Sequence, residues 1–102
     1  MPWFVKTEVF TKDTLNLSNK ERQKFIKEHK KWIKYLTSSG EIIYSGYLVD
    51  ENKCPGGGGL LIIKSNSYNE AKILISSDPM ITNNLVIWKL NEWIPIDQEI
   101  NI

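Results

Sequence analysis

The chain contains one histidine, His29, and histidine is the side chain that exchanges a proton most readily near neutral pH. A general acid or base of this kind needs an orienting partner within hydrogen-bond reach. His29 also falls on the apolar stripe of a predicted helix, where a partly buried histidine is an ordinary structural residue. Two interpretations are therefore open: a proton-transfer group, or a packed helix residue with one satisfied ring nitrogen.

Asp78 is the best candidate for the carboxylate partner. It precedes Pro79, and Asp before Pro is typical of a helix N-cap with proline at the first helical position. Such a cap would open a turn through Met80 and Ile81. Asp78 also follows the second predicted helix, at an end of the sheet that the first helix can reach. A His29–Asp78 pair is thus a hypothesis, with a simple cap as its alternative.

The glycine run 56–59 invites a phosphate-loop interpretation, but it precedes a strand and no Gly-Lys-Ser/Thr follows. We expect a flexible hairpin connection there, able to act as a lid over a cleft. Cys54, in the same segment, has no second histidine to activate it, so we interpret it as an ordinary exposed thiol. No group of Cys, His, Asp or Glu has metal-ligand spacing. We therefore predict no metal and no cofactor.

Periodicity and capping signals predict the elements that must position these residues. One helix runs from a capping box at Ser18 and Glu21 to Gly40, and a shorter one opens at Ser67 and Glu70. The core-facing stripe of the first helix consists of Phe25, His29, Trp32, Ile33 and Leu36. β-Branched and aromatic runs predict strands over 3–10, 41–49, 60–64 and 85–93.

The order β-α-β-β-α-β predicts an α+β, ferredoxin-like sandwich: a four-stranded antiparallel sheet with two helices on one face. The other face would then expose Trp, Tyr, Val and Ile side chains to water. An apolar patch of that size is unusual on a monomer. We therefore expect a homodimer that packs sheet to sheet.

The composition of the chain limits the classes of protein to which it can belong. The 102 residues form one domain, 1–102, and 41% apolar with 25% charged residues is typical of a globular protein. No apolar run exceeds the four residues of Leu60–Ile63, far short of the ~20 that a membrane span needs. A lone cysteine favours a reducing compartment. We expect a cytoplasmic protein without a signal peptide or a membrane partner.

Nucleic acid is not an expected partner. The net charge is +1, although seven of the thirteen basic residues lie within 20–34. RNA-recognition modules share the predicted element order but carry base-stacking aromatics on the third strand. That strand here reads Leu60-Leu61-Ile62-Ile63-Lys64. The lysines would lie on the helix side of the sheet, as a solvated face.

The chain resembles the YciI-like (YCII-related) protein family, in short segments that follow the family's order over nearly the whole chain. These segments are Met1-Pro2-Trp3-Phe4-Val5, His29-Lys30-Lys31-Trp32 through Leu36 and Gly40, Ser45-Gly46-Tyr47-Leu48-Val49-Asp50, Pro55 to Leu61, Asp78-Pro79-Met80-Ile81 and Glu92-Trp93-Ile94-Pro95. The resemblance implies a ferredoxin-like fold in a dimeric α/β-barrel arrangement. It also implies a catalytic dyad, which maps onto His29 and Asp78.

Relatives in the wider dimeric α/β-barrel group act on small, often aromatic molecules, including cofactor-free lyase and isomerase chemistry. One departure concerns an Arg that many members have three residues before the helix His, where this chain has Ile26. The only arginine, Arg22, lies two helical turns before His29. If the family Arg holds an anionic substrate, Lys6 or Lys89 could replace it, and the sequence does not choose between them.

Two functions from different classes remain. In the first, the protein is a cofactor-independent acid/base enzyme of lyase or isomerase type acting on a small organic molecule. Its pocket would lie between the sheet and the first helix, lined by Trp3, Trp32, Tyr44, Tyr47 and Trp88. In the second, the fold is a non-catalytic small-ligand-binding or interaction domain, in which His29 and Asp78 only tie two elements together. A pocket of roughly 300 Å³ or more beside His29 would favour the enzyme.

Overall fold

The computed structural model describes residues 1–96. Its elements are β1 Trp3–Phe10, α1 Lys12–Leu15, α2 Asn19–Ser38, β2 Ile43–Val49, β3 Pro55–Lys64, α3 Tyr68–Ile75, α4 Pro79–Thr82 and β4 Val86–Trp93. The strands form one antiparallel sheet in the order β2-β3-β1-β4. The predicted α+β fold, with a four-stranded antiparallel sheet and two main helices, is confirmed.

The two main helices begin where the capping signals predicted. The Ser18 hydroxyl accepts from the Glu21 N–H while the Glu21 carboxylate accepts from the Ser18 N–H. Ser67 caps α3 by accepting from the Glu70 N–H. Two four-residue helices, α1 and α4, accompany them. The α1 turn was not predicted, because its apolar content is too low to show a period; the Thr11 hydroxyl caps it.

Both long helices pack on one face of the sheet. Strand side chains alternate between faces, and Phe4 belongs to the core that the helices cover. The other members of this core are Leu36, Ile43, Leu61, Ile63, Ala71, Ile75 and Leu90. Side chains at even positions of β1 therefore face the helices, and those at odd positions, beginning with Trp3, face the opposite side. Lys6 consequently belongs to the helix-covered face.

The glycine run is not the flexible connection that we expected. Strand β3 begins at Pro55 and includes all four glycines, and Gly59 pairs with both Glu8 and Tyr47. The turn between β2 and β3 lies earlier, where the Asp50 carboxylate accepts from the N–H groups of Asn52 and Cys54. The prediction of a glycine lid is therefore wrong: these glycines are strand residues.

Gly58 and Gly59 let β3 approach β1 closely. Gly58 has φ +85°, and a β-carbon built on it would collide with the backbone carbonyl of Glu8. A β-carbon on Gly59 would lie 2.9 Å from Cγ of Glu8. Only glycine tolerates this combination of positive φ and close approach without strain. The run thus shapes the sheet next to Glu8, on the helix-covered face.

Within residues 1–96, no helix is long and apolar enough to cross a membrane.

Candidate active site

His29 lies in the middle of α2, where its ring bridges two other elements. Its Nδ1 atom is 2.8 Å from Oδ1 of Asp78, and its Nε2 atom is 2.9 Å from Oγ of Ser45. The side chain is 15% exposed, so one edge of the ring still meets solvent. The helix therefore presents a histidine with both nitrogens engaged, at a point where small molecules can reach it.

Asp78 reaches His29 because it caps α4. Its Oδ1 atom accepts a 3.0 Å hydrogen bond from the Met80 N–H, and Pro79 occupies the first helical turn. The predicted N-cap at the Asp-Pro pair is thus confirmed, and the same carboxylate also contacts His29. The two interpretations are not alternatives, since one oxygen serves the cap and the ring together. The cap fixes the carboxylate that faces α2.

A buried lysine completes the network. Nζ of Lys6 lies 3.1 Å from Oδ2 of Asp78 and 2.9 Å from Oε1 of Glu8. Lys6 and Asp78 are both 0% exposed, whereas the Glu8 side chain is 12% exposed. A lysine is almost never fully buried unless it is paired, and here it has two carboxylate partners. Ser45, His29, Asp78, Lys6 and Glu8 thus form one continuous polar chain.

This placement decides between the two lysines considered as substitutes for the missing arginine. Lys89 lies opposite Thr7, so it is on the helix-free face and remote from His29. Lys6 lies in the site, but its ammonium already contacts two carboxylates and has no exposed surface. Its role in the site is therefore to neutralise Asp78.

The electrostatics of Asp78 follow from these neighbours. Burial by itself acts to raise the pKa of this carboxyl, since the charged form loses its hydration. The hydrogen bond from His29, the charges of Lys6 and His29, and the Met80 N–H act in the opposite direction and prevail. The pKa of Asp78 consequently lies below its ordinary value, and the group is an ionised carboxylate at neutral pH.

An ionised Asp78 determines the tautomer of a neutral His29. A carboxylate can only accept hydrogen bonds, so Nδ1 must carry the proton that it donates to Oδ1 across 2.8 Å. Nε2 then carries no proton, and its lone pair accepts a hydrogen bond from the Ser45 hydroxyl. The outward nitrogen is therefore the basic one. This is the arrangement that a histidine general base requires.

The five aromatic residues predicted to line one pocket are divided between the two faces of the sheet. Trp3 and Tyr44 lie on the helix-free face, opposite Lys64 and Ile62 respectively. They cannot line a pocket between the sheet and α2 of the same chain, so this part of the prediction is wrong. The strand period of two already separates Trp3 from Lys6, and Tyr44 from Ser45.

The remaining three aromatics lie on the helix-covered face. Trp32 is one turn after His29, with ring centroids 5.7 Å apart, and its indole N–H donates to the Ser77 hydroxyl. Tyr47 shares the face of Ser45 and is 73% exposed. Trp88 is half-buried and packs against the small core cluster of Met80, Leu85 and Val86. Trp32 and Tyr47 are thus the aromatic side chains that flank the His29–Ser45 contact along α2 and β2.

Two open grooves, of about 420 and 410 Å³, lie away from His29. The first is on the helix-free face, where Val5, Leu60, Ile62 and Trp93 contribute to it. The second lies between α3 and β4. Neither is the pocket beside His29 that the enzyme hypothesis anticipates. A molecule that meets Nε2 of His29 would approach at the surface beside the exposed Ser45, on the edge strand β2.

No group of three or more His, Cys, Asp and Glu side chains within residues 1–96 is arranged to hold a metal ion. Cys54 is an exposed free thiol in the β2–β3 turn, as expected.

Sequence reasoning missed two members of the polar chain, Glu8 and Ser45, and it did not predict that Lys6 pairs with Asp78. Lys6 and Asp78 are 72 positions apart, and no local pattern relates them. A usable signal did exist for Lys6, since it shares strand parity with the apolar Phe4. A lysine on the core-facing parity of a strand indicates a buried partner of opposite charge.

Comparisons with known proteins bear on both fold and family. A solved structure of 5-chloro-2-hydroxyhydroquinone dehydrochlorinase from Burkholderia phenoliruptrix AC1100, in complex with 2,5-dihydroxybenzoquinone, superposes with a TM-score of 0.69. It is 16% identical, and the alignment covers 90% of this chain and 93% of that one, which establishes a shared fold. Among proteins with curated descriptions, none matches the sequence. The model of the YCII-related domain matches residues 3–94, and the chain therefore belongs to the YCII-related family.

Proposed function

We propose that this protein is a cofactor-independent acid/base enzyme, of lyase or isomerase type, that acts on a small organic molecule. His29 is the proton-transfer group, and Asp78 orients it. The observation that carries the proposal is the pair of contacts on the His29 ring: 2.8 Å from Nδ1 to the buried carboxylate and 2.9 Å from Nε2 to an exposed hydroxyl. One nitrogen is anchored inside the protein while the other faces the exposed Ser45 at the surface.

The role of each residue follows from its charge and its burial. Nε2 accepts a proton from the substrate, and the imidazolium that forms is stabilised by the Asp78 carboxylate. Lys6 and the Met80 N–H keep that carboxylate ionised and in place. A positioned base of this kind contributes typically 10²–10⁴-fold to a rate. Such a factor suits a substrate that is already acidic or carries a good leaving group.

The structural neighbour is consistent with this chemistry. It is a dehydrochlorinase, named for a chlorinated hydroxyhydroquinone and captured with a dihydroxybenzoquinone. Removing the elements of HCl requires loss of a proton and departure of chloride, which a base alone can promote. We propose that the present substrate is likewise a small hydroxylated or carbonyl compound. Trp32 and Tyr47, which flank the His29–Ser45 contact, would contact its ring.

We also propose that two chains pair through their helix-free faces. Ile87 is 65% exposed and Trp93 is 41% exposed on that face, and the groove beside Val5 and Ile62 is almost wholly apolar. An isolated chain would expose this surface to water. A second copy matches it in chemistry, since a two-fold axis brings the same apolar residues together.

Deuterium exchange tests the enzyme proposal whatever product the reaction gives. Small phenols, quinols and carbonyl compounds, including 5-chloro-2-hydroxyhydroquinone, are incubated with the protein in D₂O and followed by proton NMR and chloride release. We expect enzyme-dependent exchange or chloride loss that falls at least 100-fold in His29→Gln. Lys34→Met, altered on the exposed surface of α2, should match the wild type.

The competing binding-domain function gives a different result. If His29 only ties α2 to α4, His29→Gln lowers the melting temperature and leaves ligand binding unchanged. No compound in the panel would then show catalysed exchange. That outcome would refute the enzyme proposal.

A further inference from the structure

The contact between Ser45 and His29 supports an inference that goes beyond proton transfer. Its Oγ lies 2.9 Å from Nε2 of His29, whose Nδ1 lies 2.8 Å from Asp78. A hydroxyl, an imidazole and a buried carboxylate in this sequence of contacts have the geometry of an activated nucleophile, its base and the group that orients the base. Such constellations are recognised by geometry and not by chain order.

The hydroxyl is accessible to an electrophile. Ser45 is exposed and lies on β2, which is an edge strand of the sheet. Its neighbour across the sheet is the fully buried Leu61, so its side chain projects over the helix-covered face beside His29. No other histidine exists in the chain. Ser45 is accordingly the serine whose hydroxyl contacts a general base.

The backbone of Ser45 supplies a donor for a developing oxyanion. The Lys64 N–H donates to the Ile42 carbonyl, so these two residues form a hydrogen-bonded pair of the antiparallel ladder. Bonded and non-bonded pairs alternate along such a ladder, which makes Ser45 opposite Leu61 a non-bonded pair. The N–H of Ser45 therefore points away from β3, toward the open edge of the sheet.

We propose that Ser45 is a nucleophile that cleaves small activated esters through an acyl-enzyme. Oγ attacks the carbonyl carbon while its proton passes to Nε2 of His29. The bond to the leaving phenol or alcohol breaks, and that oxygen takes the proton from His29. Water then attacks the acyl group, giving its proton to His29, and the carboxylic acid departs as Oγ recovers the proton. No other reactant is needed.

The expected activity is modest, because within residues 1–96 we assign one oxyanion donor, the backbone N–H of Ser45. Loss of one donor from a complete oxyanion hole costs about 10²–10³-fold in rate. Deacylation should therefore be slow, and aryl esters with good leaving groups are the substrate class. The proposal shares His29 and Asp78 with the acid/base function and rests on that pair being competent to accept a proton.

A fluorophosphonate probe tests Ser45 directly, because the serine displaces fluoride and retains the phosphonyl group. We expect one added group by intact mass, located at Ser45 by peptide mapping. The group should be absent from Ser45→Ala, and labelling should be at least 100-fold slower in His29→Gln. Ser39→Ala, which removes a hydroxyl that donates to the Tyr35 carbonyl, should react like the wild type. Twelve lysines make p-nitrophenyl acetate less selective, so it serves only for burst kinetics.

A second variant gives an independent measurement. In Ser45→Cys, the introduced thiol should react with iodoacetamide at least tenfold faster than the exposed Cys54, and His29→Gln should abolish the difference. The proposal is overturned if the wild type remains unlabelled, if Ser45→Ala labels equally, or if the two thiols react alike. Deuterium exchange by the wild type reports the acid/base function separately, so failure of either activity is seen on its own.

Discussion

Replacing Lys6 by Met should strongly destabilise the fold. The change removes an ammonium that is 0% exposed and lies 3.1 Å from the equally buried Asp78 carboxylate. Removing one partner of a buried ion pair costs about 3–5 kcal/mol, because the other charge stays buried. Asp78 keeps the His29 and Met80 donors, so we expect the lower end, about 3 kcal/mol. For a domain of this size, that loss lowers the melting temperature by roughly 12–24 °C.

Urea unfolding followed by circular dichroism measures this difference at neutral pH. Lys34→Met is the matched control, since Lys34 is an exposed lysine on α2 and lies away from the helix-free face, and it should change stability by less than about 0.5 kcal/mol. A loss below about 1 kcal/mol for Lys6→Met would refute the reasoning. It would mean that Asp78 does not depend on Lys6 for its charge.

Three further predictions concern pH, the sheet surface and the glycine strand. The pKa of Asp78 in the folded protein lies below its ordinary value of 3.8. The Asp78 carboxylate therefore contributes fully to the free energy of unfolding above pH 3.8, and this contribution is lost as the pH falls through the folded-state pKa. In an acid titration, Asp78→Asn should accordingly lose less stability than the wild type. Ile87→Glu should shift the proposed dimer toward monomer in sedimentation equilibrium, whereas Ile73→Glu, on exposed α3 surface, should not; equal sedimentation of the two variants would contradict the proposed interface. Gly58→Ala should lower the melting temperature several degrees more than Gly40→Ala, because both have positive φ but only Gly58 meets the Glu8 backbone; equal losses would contradict that contact.

Local sequence signals are sufficient to predict most of the helices and strands and the position of His29 on its helix. The spacing of Phe25, His29 and Leu36 predicts the helix that presents the histidine. The serine N-caps of α2 and α3 lie where the sequence indicates them, although the full capping box forms only at Ser18. These features depend on neighbours within one or two turns. Side-chain period and hydrogen-bond competition at a helix start are local properties, so a sequence can express them without tertiary information.

The remaining features of the site and the sheet depend on contacts between segments that are distant in sequence. The Lys6–Asp78 ion pair joins the first strand to a turn near the other end of the chain, and nothing local to either residue requires it. The glycine run favours a loop by its composition, because glycine weakens strands in general. Here the close approach of Glu8 reverses that preference. Aromatic type alone groups Trp3 with the pocket residues, whereas strand parity places it on the other face.

The tautomer of His29 decides whether its outward nitrogen can accept a proton. Long-range ¹H–¹⁵N correlation spectra identify which ring nitrogen carries the proton at a pH where the ring is neutral. We predict the Nδ1–H form in the wild type. In Asp78→Ala, no carboxylate remains to accept a hydrogen bond from Nδ1, so the spectra should move toward the Nε2–H form and the outward base is lost. An Nε2–H wild type, or identical spectra for both proteins, would contradict the account.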